Sequence, residues 1–189
     1  MKAVFLRTCI LGLAVTLASC ATAPRSAPGP APGIDVTRFH LSQPFARAAI
    51  AVDAAHAADR NSPDFPAYRA SVERQLARLG WTIVTSGAQS EQIALIDVEQ
   101  GSRAALAQRS TIGGGARIGA GSGASDLVTT LLEVSIRRRS DATVFWEGRA
   151  DMEARAGSPG ANRVAAVERL AQALFRDFPG ESGRTIRLP

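Results

Sequence analysis

Two runs of strict alternation, Leu132 to Arg137 and Val144 to Glu153, constrain this chain more than any other feature. Leu132, Val134 and Ile136 alternate with Glu133, Ser135 and Arg137. Beyond a polar turn, Val144, Trp146, Gly148, Ala150 and Met152 alternate with Phe145, Glu147, Arg149, Asp151 and Glu153. A period of two sends successive side chains to opposite faces of a strand, so each run has one apolar and one largely charged face. Two such runs around a short turn make a β-hairpin with one face against a core and the other wet. Charge then selects the register. A three-residue loop at Ser140–Ala142 sets Glu133 opposite Arg149, whereas a slip of two residues sets it opposite Glu147, and like charges directly across a ladder repel. That loop holds no glycine, so Asp141 is expected in the left-handed position.

The flanking segments supply the rest of a core. Val36 to Leu41 and Ala48 to Asp53 read as strands. Asp64-Phe65-Pro66 reads as a helix start with Asp64 as cap, and Tyr68, Val72, Leu76 and Leu79 then recur at helical spacing. Gly80 suits a left-handed helix end, with Trp81 folding back on the last turn. Trp81 to Thr85 reads as a strand, parallel to Ala48–Asp53 if the intervening helix is a crossover. Gln92 to Glu99, apolar on both faces in its middle, reads as a central covered strand. Ser158-Pro159 is expected to open a second helix with the stripe Val164, Val167, Ala171, Leu174 and Phe178, stopped by Pro179-Gly180. Arg184 to Leu188 has the pattern of a small edge strand. The fold class that follows is α+β: a mixed, mostly antiparallel sheet with two amphipathic helices on one face.

The first 33 residues belong to none of this. Lys2 and Arg7 precede the apolar run Thr8 to Ala18, which is too short for the ~20 apolar residues that span a bilayer. Leu17-Ala18-Ser19-Cys20 then places small residues before a cysteine, the pattern of a lipoprotein signal cleaved ahead of a lipidated Cys20. The expected organisation is a signal peptide over 1–19, a lipidated Cys20 with a Pro-rich tether over 20–33, and one globular domain over 34–189. Ala21 to Gly33 carries four prolines, which favours an extended tether of ~3.1 Å per residue. Such a signal leads to the cell envelope, and Ala21, rather than aspartate, after the lipidated cysteine points to the outer membrane, facing the periplasm. Cys9 lies in the signal and Cys20 is taken by lipid, so no thiol remains for a disulfide, a redox motif or a cysteine metal site. The net charge of +5 falls to +3 without Lys2 and Arg7, and Lys2 is the only lysine. Neither the charge nor the compartment argues for nucleic acid.

Candidate chemistry is sparse. Thr111 to Ser125 is glycine-rich, and 119–124 fits a loose dinucleotide-loop pattern. No strand precedes it tightly and strand-like sequence follows, so a connection between strands is the better reading, with no nucleotide and no cofactor. His40 and His56, the two histidines, lie in no metal or hydrolytic motif. Asp97 with Glu99, and Asp151 with Glu153, share strand faces two residues apart. Such pairs can work on glycosidic bonds, but Arg149 and Arg155 stand ready to neutralise the second pair. Arg137, Arg138 and Arg139 at the hairpin turn are a candidate contact for anionic headgroups or glycans. No catalytic and no metal-ligating residue is assigned.

The order of these features resembles a family of bacterial lipoproteins catalogued only as domain of unknown function 4136. The resemblance rests on the lipobox and Pro-rich spacer and on Asp64-Phe65-Pro66-Ala67-Tyr68 running to Leu79-Gly80-Trp81. It rests also on Trp146-Glu147-Gly148, and on Leu174-Phe175-Arg176-Asp177-Phe178-Pro179. It covers most of residues 36–180, and the long Gly-rich 111–125 departs from it. The resemblance implies a small α+β domain on an envelope lipoprotein with no established enzymatic activity. The expectation is therefore a non-enzymatic, lipid-anchored binding or scaffolding module. Its partners would be the membrane, through lipid, and another envelope component. A binder of anionic lipid or glycan and a periplasmic hydrolase using a carboxylate pair are the alternatives.

Overall fold

The computed structural model describes residues 33–42, 46–85, 90–109 and 126–189, with the backbone only for 107–109. The expected signal peptide, Cys20, nearly all of the tether and the Gly-rich 111–125 lie outside the described residues. Seven strands form one sheet: β1 Ile34–His40, β2 Ala49–Ala54, β3 Thr82–Ile83, β4 Gln92–Gly101, β5 Leu127–Arg138, β6 Val144–Arg155 and β7 Thr185–Leu188. Their spatial order is β3-β2-β4-β5-β6-β1-β7. β2 is parallel to β3 and to β4, and every other ladder is antiparallel. The fold is α+β, as the pattern implies. α1 (Phe65–Arg78) and α3 (Arg163–Phe175) cover one face, and a third helix, α2 (Arg103–Arg109), follows β4.

The hairpin carries the core. The alternate residues Leu132, Val134, Ile136, Trp146, Ala150 and Met152 are all buried and meet Val72 and Leu76 of α1 and Leu170 and Leu174 of α3. Trp146 is fully buried, stacks on Phe175 with centroids 5.2 Å apart, and donates its indole N–H to the Pro179 carbonyl at 3.0 Å. A Cβ at Gly148 would meet the Trp146 ring and lie 2.7 Å from Leu174 Cδ1, so only glycine fits beneath them. At the end of α1, Gly80 takes φ +97° and the Trp81 amide donates to Leu76, closing the helix as its sequence suggests.

The register places Glu133 opposite Arg149, as charge requires. The turn itself differs from expectation. A bulge between Ile136 and Arg137 shifts the ladder by one, so the Arg138–Thr143 hydrogen bond closes a four-residue loop, 139–142. Ala142, not Asp141, takes positive φ (57°). The Asp141 carboxylate instead accepts from the Thr143 amide at 3.0 Å and pairs with Arg138, and this local bond hands the left-handed position to its neighbour.

Three other boundaries differ from the sequence reading. Asp64 is itself helical (φ −85°, ψ −18°), so its carboxylate lies beside the first turn. It accepts from Tyr68 Oη at 3.2 Å rather than from the free amides. Ser158-Pro159 opens only a short 3-10 turn over 159–161, and α3 is capped by Asn162, whose extended backbone lets Oδ1 accept from Ala165 N at 3.0 Å. Trp81 to Thr85 contributes only the two-residue β3, because Trp81 is committed to the helix end.

Two ends of the sheet can now be distinguished. β1 enters at Ile34, opposite Met152, and β6 begins at Val144 beside the hairpin turn. At ~3.4 Å per residue the entry end and the turn end are therefore ~27 Å apart.

Candidate functional site

Residues of opposite parity to the core build the second face of the sheet, and here the sequence's paired carboxylates converge. Asp97 lies opposite Glu133, and Glu133 opposite Arg149. In the next row Glu99, Leu131, Asp151, Asp35 and Arg187 lie side by side across five strands. The face is not wet, as a simple hairpin would leave it: Glu133, Arg149 and Asp151 are each 8% exposed. Arg149 Nη1 stands 3.7 Å from Glu133 Oε1, and Arg187 holds Asp35 at 3.2 Å on the rim.

The group that engages Asp151 and Glu153 is Arg103, at the start of α2. Its Nε donates to Glu153 Oε1 at 2.7 Å and its Nη2 stands 3.4 Å from Asp151 Oδ2. The sequence reading had expected Arg149 and Arg155 in this role. Arg149 faces Glu133 instead, and Arg155 is exposed at the end of its strand. Nothing local in the chain announces Arg103, which is fifty residues from Glu153. Leu106, one turn on, is 1% exposed, so among the described side chains of α2 Leu106 and the bridging Arg103 guanidinium rest on this second face.

Burial raises the Asp151 carboxyl above the ordinary carboxylate range. Arg103 and Arg149 pull it back, and the charges of Asp35 and Glu153 add to the rise. For Arg103, burial acts to lower the pKa, but the Glu153 hydrogen bond and the charges of Asp151, Glu153 and Asp35 outweigh it and hold the guanidinium above its usual value. The face is thus laced with ion pairs, and burial disfavours the charged form of Asp151 within it. Glu99 Oε2 is buried without a hydrogen-bond partner. Among the described residues no three His, Cys, Asp or Glu side chains are grouped to hold a metal ion.

The histidines play separate parts. His40 sits between the Leu41 and Gly180 carbonyls, each 3.0 Å from a ring nitrogen, and ties β1 to the loop after α3. His56 Nε2 lies 3.5 Å from Asp97 on an exposed turn. A small open pocket at the entry end is lined by Asp59, Ser62, Phe65, Tyr68, Ile96, Val98 and Arg163, and includes none of the paired carboxylates.

Arg137, Arg138 and Arg139 lie where the sequence puts them, at the turn end. Arg137 is half-buried and donates to Ser135 Oγ at 2.9 Å. Arg138 pairs with Asp141 at 2.7 Å, and the exposed Arg139 donates its amide to the Glu91 carbonyl. The structure gathers further arginines at this end. Arg47 lies over the Trp81 ring at 5.7 Å, Arg78 is in the last turn of α1, and Arg176 directly follows α3. Six arginines face four carboxylates here, Glu91, Asp141, Asp177 and Glu147, the last lying opposite Phe39, while Glu181 in the loop beside His40 is paired with Arg184.

Comparison with known proteins adds little chemistry. No family model matches the chain. An uncharacterised protein of Zymomonas mobilis is 26% identical, the match covering 82% of this chain and 80% of that one. Among solved structures, a PDZ domain protein from Parabacteroides distasonis superposes with a TM-score of 0.51 at 8% identity. That match covers 83% of this chain but only 39% of the other, so the chain spans well under half of that protein. A PelC dodecamer from Paraburkholderia phytofirmans gives a TM-score of 0.40 at 9% identity, covering 74% of this chain and 94% of that one, a likeness too remote to bear on the fold. The chain is thus similar in sequence to one uncharacterised protein and in fold to part of a PDZ domain protein.

Proposed function

We propose that this chain is a lipid-anchored lipoprotein of the cell envelope, of the domain of unknown function 4136 type. In this reading the α+β domain is a binding or scaffolding module and not an enzyme. The observation that carries the reading is Leu17-Ala18-Ser19-Cys20 behind a short apolar run and ahead of a Pro-rich spacer. Bacterial processing of such a cysteine adds more than one acyl chain, and two or more chains anchor stably where one binds only reversibly. One feature of the domain supports the non-enzymatic part: Asp151 and Glu153 hold Arg103 between them and Glu133 faces Arg149, so these carboxylates are committed to arginines. No helix among the described residues is long and apolar enough to cross a membrane. Ala21 after the cysteine favours the outer membrane.

The test is Cys20→Ser expressed in a diderm bacterium, with metabolic labelling by a palmitate analogue and separation of inner and outer membranes. The wild type should be labelled, shortened and recovered with the outer membrane, and Cys20→Ser should remain unlabelled and unprocessed. Normal processing and outer-membrane recovery of Cys20→Ser would overturn the reading.

A further inference from the structure

The turn end of the sheet combines two properties that the sequence keeps apart. The first is charge. Arg47 is fixed beside the turn by a chain of contacts: the preceding carbonyl of Ala46 accepts from Gln92, Gln92 lies opposite Arg138, and Arg139 is bonded to Glu91. Arg78 and Arg176 extend the same basic surface over the carboxyl ends of the two helices, where a positive charge also suits the helix dipole. The second is exposed apolar surface. Of the three large hydrophobic side chains exposed among the described residues, two are here: Leu41 at 48% and Phe39 at 37%. Leu41 is held beside the turn by the hydrogen bond from its amide to the Phe145 carbonyl at 3.0 Å.

We infer that this end is a docking surface for an anionic phospholipid membrane, its arginines on headgroup phosphates and Leu41 and Phe39 at the acyl boundary. Basic side chains beside exposed leucine and phenylalanine are what an interfacial contact needs. The arginines gain from the negative surface potential and the apolar groups from leaving water. The chain enters the domain at Ile34, ~27 Å from the turn along the strands. The inference deepens the binding-module reading and rests on it.

The experiment uses the lipidated protein inserted into supported bilayers of phosphatidylcholine alone. Retention in that neutral bilayer reports the anchor independently. Fluorescent vesicles of phosphatidylcholine, with or without phosphatidylglycerol, are then captured from solution. The wild type should capture phosphatidylglycerol vesicles selectively, and capture should fall with added salt. The triple variant Arg137→Gln, Arg138→Gln, Arg139→Gln should weaken capture between about tenfold and about a hundredfold, the lower figure reflecting the share of Arg138 already given to Asp141. Leu41→Ser should weaken it by about fivefold at unchanged charge. Arg155→Gln, at the other end, should leave it unchanged. Equal capture of neutral vesicles, capture insensitive to the triple variant, or an equal loss with Arg155→Gln would each overturn the docking surface while leaving the anchor intact.

Discussion

Arg38 offers the sharpest test of how this fold is held. It lies on the core side of β1, 2% exposed, where alternation would place an aliphatic residue. Its Nε donates to the Leu174 carbonyl at 2.8 Å and its Nη2 to the Ala173 carbonyl at 3.0 Å, in the last turn of α3. The Ala173 carbonyl also accepts from the Arg176 amide at 3.4 Å, so the guanidinium caps the carboxyl end chiefly through Leu174. Burial lowers the Arg38 pKa, and Asp177 acts the other way. Arg38→Met retains most of the apolar stem but leaves the buried Leu174 carbonyl unpaired, at ~1–3 kcal/mol, and Ala173 with its 3.4 Å bond to Arg176 alone. The lost favourable charge at the helix end adds ~1 kcal/mol. Subtracting the relief of not burying a charge leaves an expected net loss of ~2 kcal/mol. With a urea slope of about 2 kcal/mol per molar, the midpoint should fall by ~1 M. Urea unfolding followed by far-ultraviolet circular dichroism measures it. A loss under ~1 kcal/mol would mean that water or a shifted loop satisfies these carbonyls, and the capping role would be refuted.

Three further outcomes are expected. Gly148→Ala forces a methyl into Trp146 and Leu174 and should destabilise by ~2–3 kcal/mol, with a change in Trp146 fluorescence; a neutral effect would show that the ring can move aside. Gly180 has φ +79° and a Cβ there would lie 2.5 Å from Arg38 Cδ, so Gly180→Ala should cost at least ~1 kcal/mol in wild type and measurably less in Arg38→Met. For Asp151 the folded pKa is raised, so the native state binds its proton more readily than the unfolded chain. Its contribution is therefore most favourable at low pH and is lost as pH rises through the folded value. Asp151→Asn should accordingly be neutral or stabilising by up to ~1 kcal/mol at pH 7, and the difference should vanish toward pH 4. A destabilised Asp151→Asn at pH 7 would show that the Arg103 pair outweighs desolvation.

Much of this architecture is legible along the chain. The period-two runs specify the hairpin and its buried face. The Glu133–Arg149 pair selects its register, and the stripe through Tyr68, Val72 and Leu76 specifies α1 up to the Gly80 cap. Even β7, four residues long, is visible as a short alternating tail. Legibility fails where a single residue has two local options. Asp64 could cap or lie inside the first turn, and Asp141 could turn the chain or hydrogen-bond its neighbour. The choice depends on backbone angles that neighbours several ångströms away impose. α2 is invisible because seven residues hold too little periodicity, and its stability comes from what it touches.

The sequence by itself determined the hairpin with its apolar face and register, the buried stripes of α1 and α3, and the lipobox from which envelope anchoring is proposed. These depend on spacings of two to seven residues, which local geometry converts directly into faces. Only the tertiary structure decided that Arg38 belongs to the end of α3, that Arg103 joins Asp151 and Glu153, and that arginines from the segment before β2, the end of α1, the hairpin turn and the residue after α3 meet at one end beside Leu41. A buried charge is tolerated only beside its partner. That partner is supplied by whichever strand or helix the sheet order brings alongside, up to 136 residues away, a distance over which spacing carries no information.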